Sequence, residues 1–196
     1  AADIMNGGDG NDQLNGSTGS AGNDTLNGEN GNDTLNGGEG NDRLLGGAGA
    51  DVMNGGNGND YIDGGADVDM VTYFTAGSAV NIDLTNTGAQ NTGGGGTDTL
   101  VNVENVTGSN YNDIIRGNAG DNRILSASGD DTVYGGDGHD SVEASVGNDT
   151  VYGENGDDTL NGGLGDDYLD GGAGSNTSSY SGLTGSVGVT VDLRMA

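Results

Sequence analysis

Aliphatic residues stand nine positions apart along most of the chain, and what lies between them is mostly polar or glycine. Leu26, Leu35, Leu44, Met53, Ile62 and Val71 mark one such run, and Ile115, Ile124, Val133, Val142, Val151, Leu160 and Leu169 mark a second. Each is the centre of a three-residue segment x-U-x, preceded by six residues of the form G-G-x-G-x-D. Glycine reaches positive φ without steric cost, so the six suit a turn, and the remaining three are long enough only for a short strand. Side chains alternate faces along a strand, so the central residue points to one side and its neighbours to the other. The pattern therefore predicts inward ladders built from these residues and Leu14. Alternate repeats must face each other, so two nonapeptides make one turn of a flattened coil, with parallel strands stacked about 4.8 Å apart.

The register is easy to follow. Copies begin at Gly28, Gly37, Gly46, Gly55 and Gly64 without a gap, and the same phase covers residues 7–15. After a three-residue insertion at Gly16-Ser17-Thr18 it covers residues 19–27, while residues 1–6 read as the tail of a preceding copy. In the second run, copies begin at Gly108, Gly117, Ser126, Gly135, Ala144, Gly153, Gly162 and Gly171. Between the runs, Val80-Asn81-Ile82-Asp83-Leu84 alternates as a strand does, and residues 93–101 form one further full repeat. Tyr73-Phe74-Thr75 and the segment after it recur at Tyr180-Ser181-Gly182, a larger repeat of 107 residues. The expected organisation is a first run over 1–72, a connecting β segment over 73–107 that continues the stack, a second run over 108–179, and the start of another connecting segment over 180–196. On this reading the chain is a fragment of a longer array. Tyr73, Phe74 and Tyr180 are expected to pack over ladder ends.

Composition changes the picture. The 196 residues include 44 glycines and no proline or cysteine, and they carry 31 acidic against 4 basic side chains, for a net charge of −27. Without a counter-ion such a chain repels itself and reads as acidic disorder. One aliphatic side chain in nine also buries too little apolar surface to offset the entropy of ordering so much glycine. A ligand has to supply the difference. The available donors are carboxylates and turn carbonyls, hard oxygens that favour Ca²⁺ over zinc or copper, and a flexible all-protein cage favours calcium over magnesium. Binding energy then becomes folding energy.

Other chemistries are excluded or weak. With Arg43, Arg116, Arg123 and Arg194 as the only basic side chains, there is no basic surface for nucleic acid. No apolar run of about 20 residues provides a membrane span, and the N-terminal residues lack the pattern of a signal peptide. Zero cysteines exclude disulfides and thiolate metal sites without excluding secretion. There is no twelve-residue EF-hand loop, and without lysine there is no Walker-type phosphate loop. His139 is the only histidine and has no partners for a triad or a zinc site, so no catalytic residue is assigned. Carboxylates repeated every nine residues fit structural ligands, not a unique acid and base. The sequons at Asn23 and Asn32 arise from the repeat consensus.

With these residues in view, the pattern resembles the RTX, or haemolysin-type, calcium-binding nonapeptide of secreted toxins, serralysin-like proteases, lipases, alginate epimerases and large adhesins of Gram-negative bacteria. The resemblance covers almost the whole chain and implies an all-β fold, a right-handed parallel β-roll with two nonapeptides per turn. It implies that each ion sits between loops two repeats apart. The lower loop gives the carbonyls of its second and fourth residues and its aspartate, and the upper loop gives the carbonyls of its first and third residues and its aspartate. The carboxylate ligands implied are Asp12, Asp24, Asp33, Asp42, Asp51, Asp60 and Asp69, then Asp113, Asp131, Asp140, Asp149, Asp158 and Asp167, with Asp3 and Asp98 as weaker candidates. The carbonyl ligands implied are those of Gly8, Gly10, Gly28, Gly31, Gly37, Gly38, Gly40, Gly46, Gly47, Gly49, Gly55, Gly56, Gly58 and Gly64 in the first run. In the second run they are those of Gly129, Gly135, Gly136, Gly138, Gly147, Gly153, Gly156, Gly162, Gly163, Gly165 and Gly171.

Asn122 and Asn176 in place of aspartate, and Asp67 in place of the fourth glycine, mark weak or empty sites. Ser126-Ala127-Ser128 and Ala144-Ser145-Val146 lack the leading glycines and can serve only if their φ angles are tolerated. About ten calcium ions are expected. The resemblance implies a non-catalytic module of an exported protein, secreted or held at the surface of a Gram-negative bacterium, which leaves the cell through a type I secretion apparatus and folds in external calcium. The alternatives are a spacer in a surface adhesin that binds polysaccharide or another partner, and the non-catalytic part of a secreted protease, lipase or epimerase.

Overall fold

The computed structural model describes residues 1–16, 21–179 and 189–192. Most of the second connecting segment, Tyr180 included, and Ser17-Thr18 of the insertion lie outside the described residues. Among the described residues every regular element is a strand. The chain divides into two compact units, one of Ala1–Gly77 with Asn86–Asn105 and one of Ser78–Thr85 with Val106–Ala196.

In the first unit, one parallel sheet runs through Ile4–Asp9, Thr25–Asn30, Arg43–Ala48, Tyr61–Ala66 and Gly96–Val101. The other runs through Gln13–Asn15, Thr34–Glu39, Val52–Asn57 and Met70–Thr72. Strands pair with the second strand onward in sequence, so Leu26, Leu44, Ile62 and Leu100 fall in one register, and Leu14, Leu35, Met53 and Val71 in another. This is the two-nonapeptide turn of a parallel β-roll.

The second unit repeats the arrangement. Asn81–Asp83, Ile114–Arg116, Thr132–Asp137, Thr150–Asn155, Asp167–Asp170 and Val189–Asp192 form one sheet, which stacks Ile82, Ile115, Val133, Val151 and Leu169. Opposite it, Val106, Ile124, Val142 and Leu160 stack in the other. All fourteen residues expected to point inward are at most 5% exposed. Tyr73 is buried as expected, whereas Phe74 is 52% exposed.

Two features differ from the expectation. Many strands are six residues long, because pairing continues from x-U-x into the next G-G-x: Gly38 and Glu39 pair with Gly56 and Asn57 just as Leu35 pairs with Met53. Loops that stack in register give each glycine a neighbour to bond along the roll. Moreover, Ala89–Gly93 pairs antiparallel with Gly96–Val101. Gly93 and Gly96, at φ 71° and 118°, let the chain reverse there.

The outer face of the second unit carries a row of rings. Tyr134 and Tyr152 stack with centroids 5.1 Å apart and planes 11° from parallel. The Arg116 guanidinium covers Tyr134 at 4.3 Å and bonds Glu154 at 3.1 Å. Cation and ring here join successive turns from outside.

Candidate metal centre

Most repeats place an aspartate at the end of the G-G-x-G-x-D loop, just before a strand or at its start. There the backbone N–H of one aspartate donates to Oδ1 of the aspartate one turn further on. The distances are 2.7 Å for Asp24 to Asp42 and Asp33 to Asp51, and 2.8 Å for Asp42 to Asp60 and Asp51 to Asp69. In the second unit they are 2.8 to 3.0 Å for Asp113 to Asp131, Asp131 to Asp149, Asp140 to Asp158 and Asp149 to Asp167. Asp3 and Asp12, displaced by the insertion, donate in the same way to Asp24 and Asp33.

One oxygen of each carboxylate is thus satisfied, and the other is not. Oδ2 of Asp12, Asp33, Asp42, Asp51, Asp60, Asp69, Asp131, Asp140, Asp149, Asp158 and Asp167 is buried without a hydrogen-bond partner. A buried polar atom without a partner costs roughly 1–3 kcal/mol, and more if charged. So many at one repeating position indicate a ligand site.

The backbone completes the setting. A methyl group added to the first loop residue, at Gly28, Gly37, Gly46, Gly135 or Gly153, would collide with Oδ2 of that loop's own aspartate. It would also meet the carbonyl oxygen of the first residue one turn on, Gly46, Gly55, Gly64, Gly153 or Gly171. The absent side chains leave a cradle where a carboxylate oxygen and carbonyl oxygens converge. Gly38 and Gly40, at φ 100° and 135°, show the conformation of the second and fourth loop positions. At the degenerate repeats Glu29, Ala127, Ser145 and Glu154 take φ 73° to 80° at the second position, and Asp67 takes 80° at the fourth. Among the described residues no three His, Cys, Asp or Glu side chains gather around one point. A cation held here would therefore draw most of its ligands from the backbone, and the hard, flexible oxygen set fits calcium.

Burial sets the electrostatics. It pushes the carboxyls of Asp60 and Asp149 up to about 7 and those of Asp69, Asp131 and Asp140 to about 6; the N–H bonded to each opposes the rise, and neighbouring aspartates add to it. Asp42, Asp51, Asp113 and Asp158 are raised for the same first reason. The loops therefore hold negative charge with difficulty, as a site built for a cation does.

The expected ligands are not all alike. Asp98 is buried and in register, since the Asp60 N–H donates to its Oδ1, but its Oδ2 accepts from the Tyr73 hydroxyl at 2.9 Å and the Thr92 hydroxyl at 2.7 Å. Asp113 accepts from the Ser109 N–H and hydroxyl at 2.6 Å. Asn176 keeps the place of an aspartate, its Oδ1 accepting the Asp158 N–H, whereas Asn122 Oδ1 accepts the N–H of Asn118 in its own loop; their amide groups donate to the Gly172 carbonyl and to Asn118 Oδ1 respectively. Asp24 is buried and accepts the Asp3 N–H, whereas Asp3 itself is exposed.

Two residues have roles that the repeat pattern did not reveal. At the position before many of the aspartates, a side chain accepts an N–H from the next turn, as Asn23 and Asn32 do from Asn41 and Ala50. His139 joins this second ladder, its Nδ1 accepting from the Asp157 N–H at 3.0 Å. Glu104 accepts the N–H of Asp69 at 2.9 Å, the place an aspartate takes elsewhere.

A family model described as the RTX calcium-binding nonapeptide repeat (four copies) matches residues 1–20, 17–44, 36–71, 107–142 and 143–177. No curated protein matches the chain.

Proposed function

The chain belongs to the RTX calcium-binding nonapeptide repeat family, a structural and non-catalytic calcium-binding solenoid, and on that premise we propose that it is a module whose folding is switched on by calcium after its parent protein leaves the cell. The observation that carries this reading is the set of eleven aspartate Oδ2 atoms that, among the described residues, are buried without partners. We assign those aspartates, with Asp24, Asp98 and Asp113 in the same register, as carboxylate ligands. The loop carbonyls, glycine ones foremost, complete each cage, and about ten ions bind per chain. Bound calcium would supply positive charge and accept the hard oxygens of the loops as ligands. The chain's own residues set the register through the aspartate N–H to Oδ1 ladder and keep side chains out of the cradle.

Linkage gives the switch its direction. Where calcium is scarce, a net charge of −27 opposes compaction; where it is abundant, mass action favours the fold. RTX proteins are typically exported by Gram-negative bacteria, and we place the parent outside such a cell, delivered by type I secretion. A polysaccharide-binding spacer is the other reading, but the two faces of Tyr134 are covered by Arg116 and Tyr152, which suits an outer staple better than a sugar platform.

The test is far-ultraviolet circular dichroism of the metal-free chain titrated with calcium and, separately, magnesium. A steep calcium-specific gain of β signal is expected. Full β signal in chelator, indifferent to calcium, would sink the reading.

A further inference from the structure

Between Leu100 and Val106, both of which point into the core, the sequence offers no G-G-x-G-x-D. The structure shows what replaces it. Asn105 donates its N–H to the Asp69 carbonyl at 2.9 Å, as Met70 does to the Asp51 carbonyl one turn earlier. Asn105 therefore stands where Met70 stands, and Glu104 stands where Asp69 stands. The Glu104 carboxylate accepts the Asp69 N–H at 2.9 Å, as the Asp69 carboxylate accepts that of Asp51 at 2.8 Å. Only Asn102 and Val103 lead into this acidic residue, and the longer glutamate side chain makes up for the shortened loop.

The rest of the cradle is also present. A methyl group at Gly64 would collide with the Asn102 carbonyl oxygen and lie 2.5 Å from Asp69 Oδ2. In the turn below, the same position at Gly46 faces the Gly64 carbonyl oxygen and Asp51 Oδ2. Asn102 takes φ 50°, a left-handed value that Gly46 and Gly64 at the same place do not take, so the shortened loop turns earlier than the nonapeptide loops do. Asp69 is fully buried, and its Oδ2 has no hydrogen-bond partner.

We propose that Asp69, Glu104 and the Asn102 carbonyl form a further calcium site, one built on a loop that lacks the nonapeptide motif. The inference rests on the calcium-binding reading of the other loops. Glu104 is here a metal ligand and not only a cap for the Asp69 N–H.

The variant that separates those roles is Glu104→Gln, which keeps a side-chain oxygen to accept the N–H and removes the charge. Bound calcium per chain is counted by equilibrium dialysis and elemental analysis, with folding followed by circular dichroism. One ion fewer than the wild-type chain, with the remainder retained, is expected. An unchanged count in a folded variant overturns the proposal. Should E104Q not fold, carboxyl labelling of the wild-type chain in calcium decides: Glu104 protected like Asp51 supports the site, and Glu104 labelled as readily as exposed Glu39 overturns it. A wild-type chain that binds no calcium at all would instead defeat the wider reading, so the two failures are distinct.

Discussion

Asp51 and Asp69 divide the work of a single carboxylate: the Asp51 N–H donates to Asp69 Oδ1 at 2.8 Å, while Asp69 Oδ2 is buried and bare. One oxygen fixes the register of successive turns, and the other faces the cradle. On the proposed assignment, structure and ligation depend on the same side chain through different atoms.

Asp51→Asn tests that division. The amide keeps an oxygen for the Asp33 N–H, which donates to Asp51 Oδ1 at 2.7 Å, but puts a donor or a neutral oxygen in the cradle. By mass action, one site at calcium 100 times its Kd stabilises by about 2.7 kcal/mol. Denaturant unfolding should show a loss of about that size in excess calcium, with one ion fewer bound. A variant as stable as the wild type, with a full calcium count, would separate Asp51 from ligation.

The pH dependence of the metal-free chain follows from the raised carboxyls. Asp60 and Asp149 at about 7, and Asp69, Asp131 and Asp140 at about 6, compare with an ordinary 3.8. Below 3.8 both folded and unfolded chains hold these protons, and burial costs nothing extra. As pH rises the unfolded chain ionises first, so stability is lost from about 4 up to about 7. Circular dichroism after passage over a chelating resin should show more β structure at pH 4 than at pH 7.5. Calcium should reverse the trend, because protons compete with it for the same oxygens.

How far the sequence could be read depended on the period. The inward residues were legible because one aliphatic position in nine admits a single phase, and the aspartate register followed from the same count. The length of Thr34–Glu39 was not, since G-G-x looks like pure turn until loops are stacked on one another. Glu104 escaped because its loop is shortened and its acid is a methylene longer, so only the hydrogen bond from Asp69 reveals its position. The sequence assigns His139 no role, for a lone imidazole between Asp121 and Asp157 does not look like an acceptor until Asp157 is seen to donate to it.

Tyr73→Phe probes a contact that works without metal. The hydroxyl donates to Asp98 Oδ2 at 2.9 Å in a buried setting, leaving Thr92 as the other donor to that oxygen. Its loss should cost about 1–3 kcal/mol. In contrast to D51N, the number of calcium ions bound should not change. A fall in that number would mean that the hydroxyl holds the Asp98 loop in its ligating shape.

Backbone conformation at the degenerate repeats supplies a last test, in which two serine-to-glycine changes should have opposite signs. Ser145 occupies the second loop position at φ 80°, where a side chain costs about 1–2 kcal/mol relative to glycine. Glycine gives back about 0.5–1 kcal/mol through its greater freedom in the unfolded chain, so Ser145→Gly should stabilise the calcium-bound fold by somewhat under about 1 kcal/mol. Ser126 opens the preceding repeat on that side of the roll, is fully buried, and donates its hydroxyl to the Ala144 carbonyl at 3.1 Å. There the same change removes a hydrogen bond and adds chain entropy, for a loss of about 1–2 kcal/mol. Thermal unfolding in saturating calcium distinguishes the two. If both variants lost stability alike, left-handed strain at the second position would not be what separates these loops from the glycine ones.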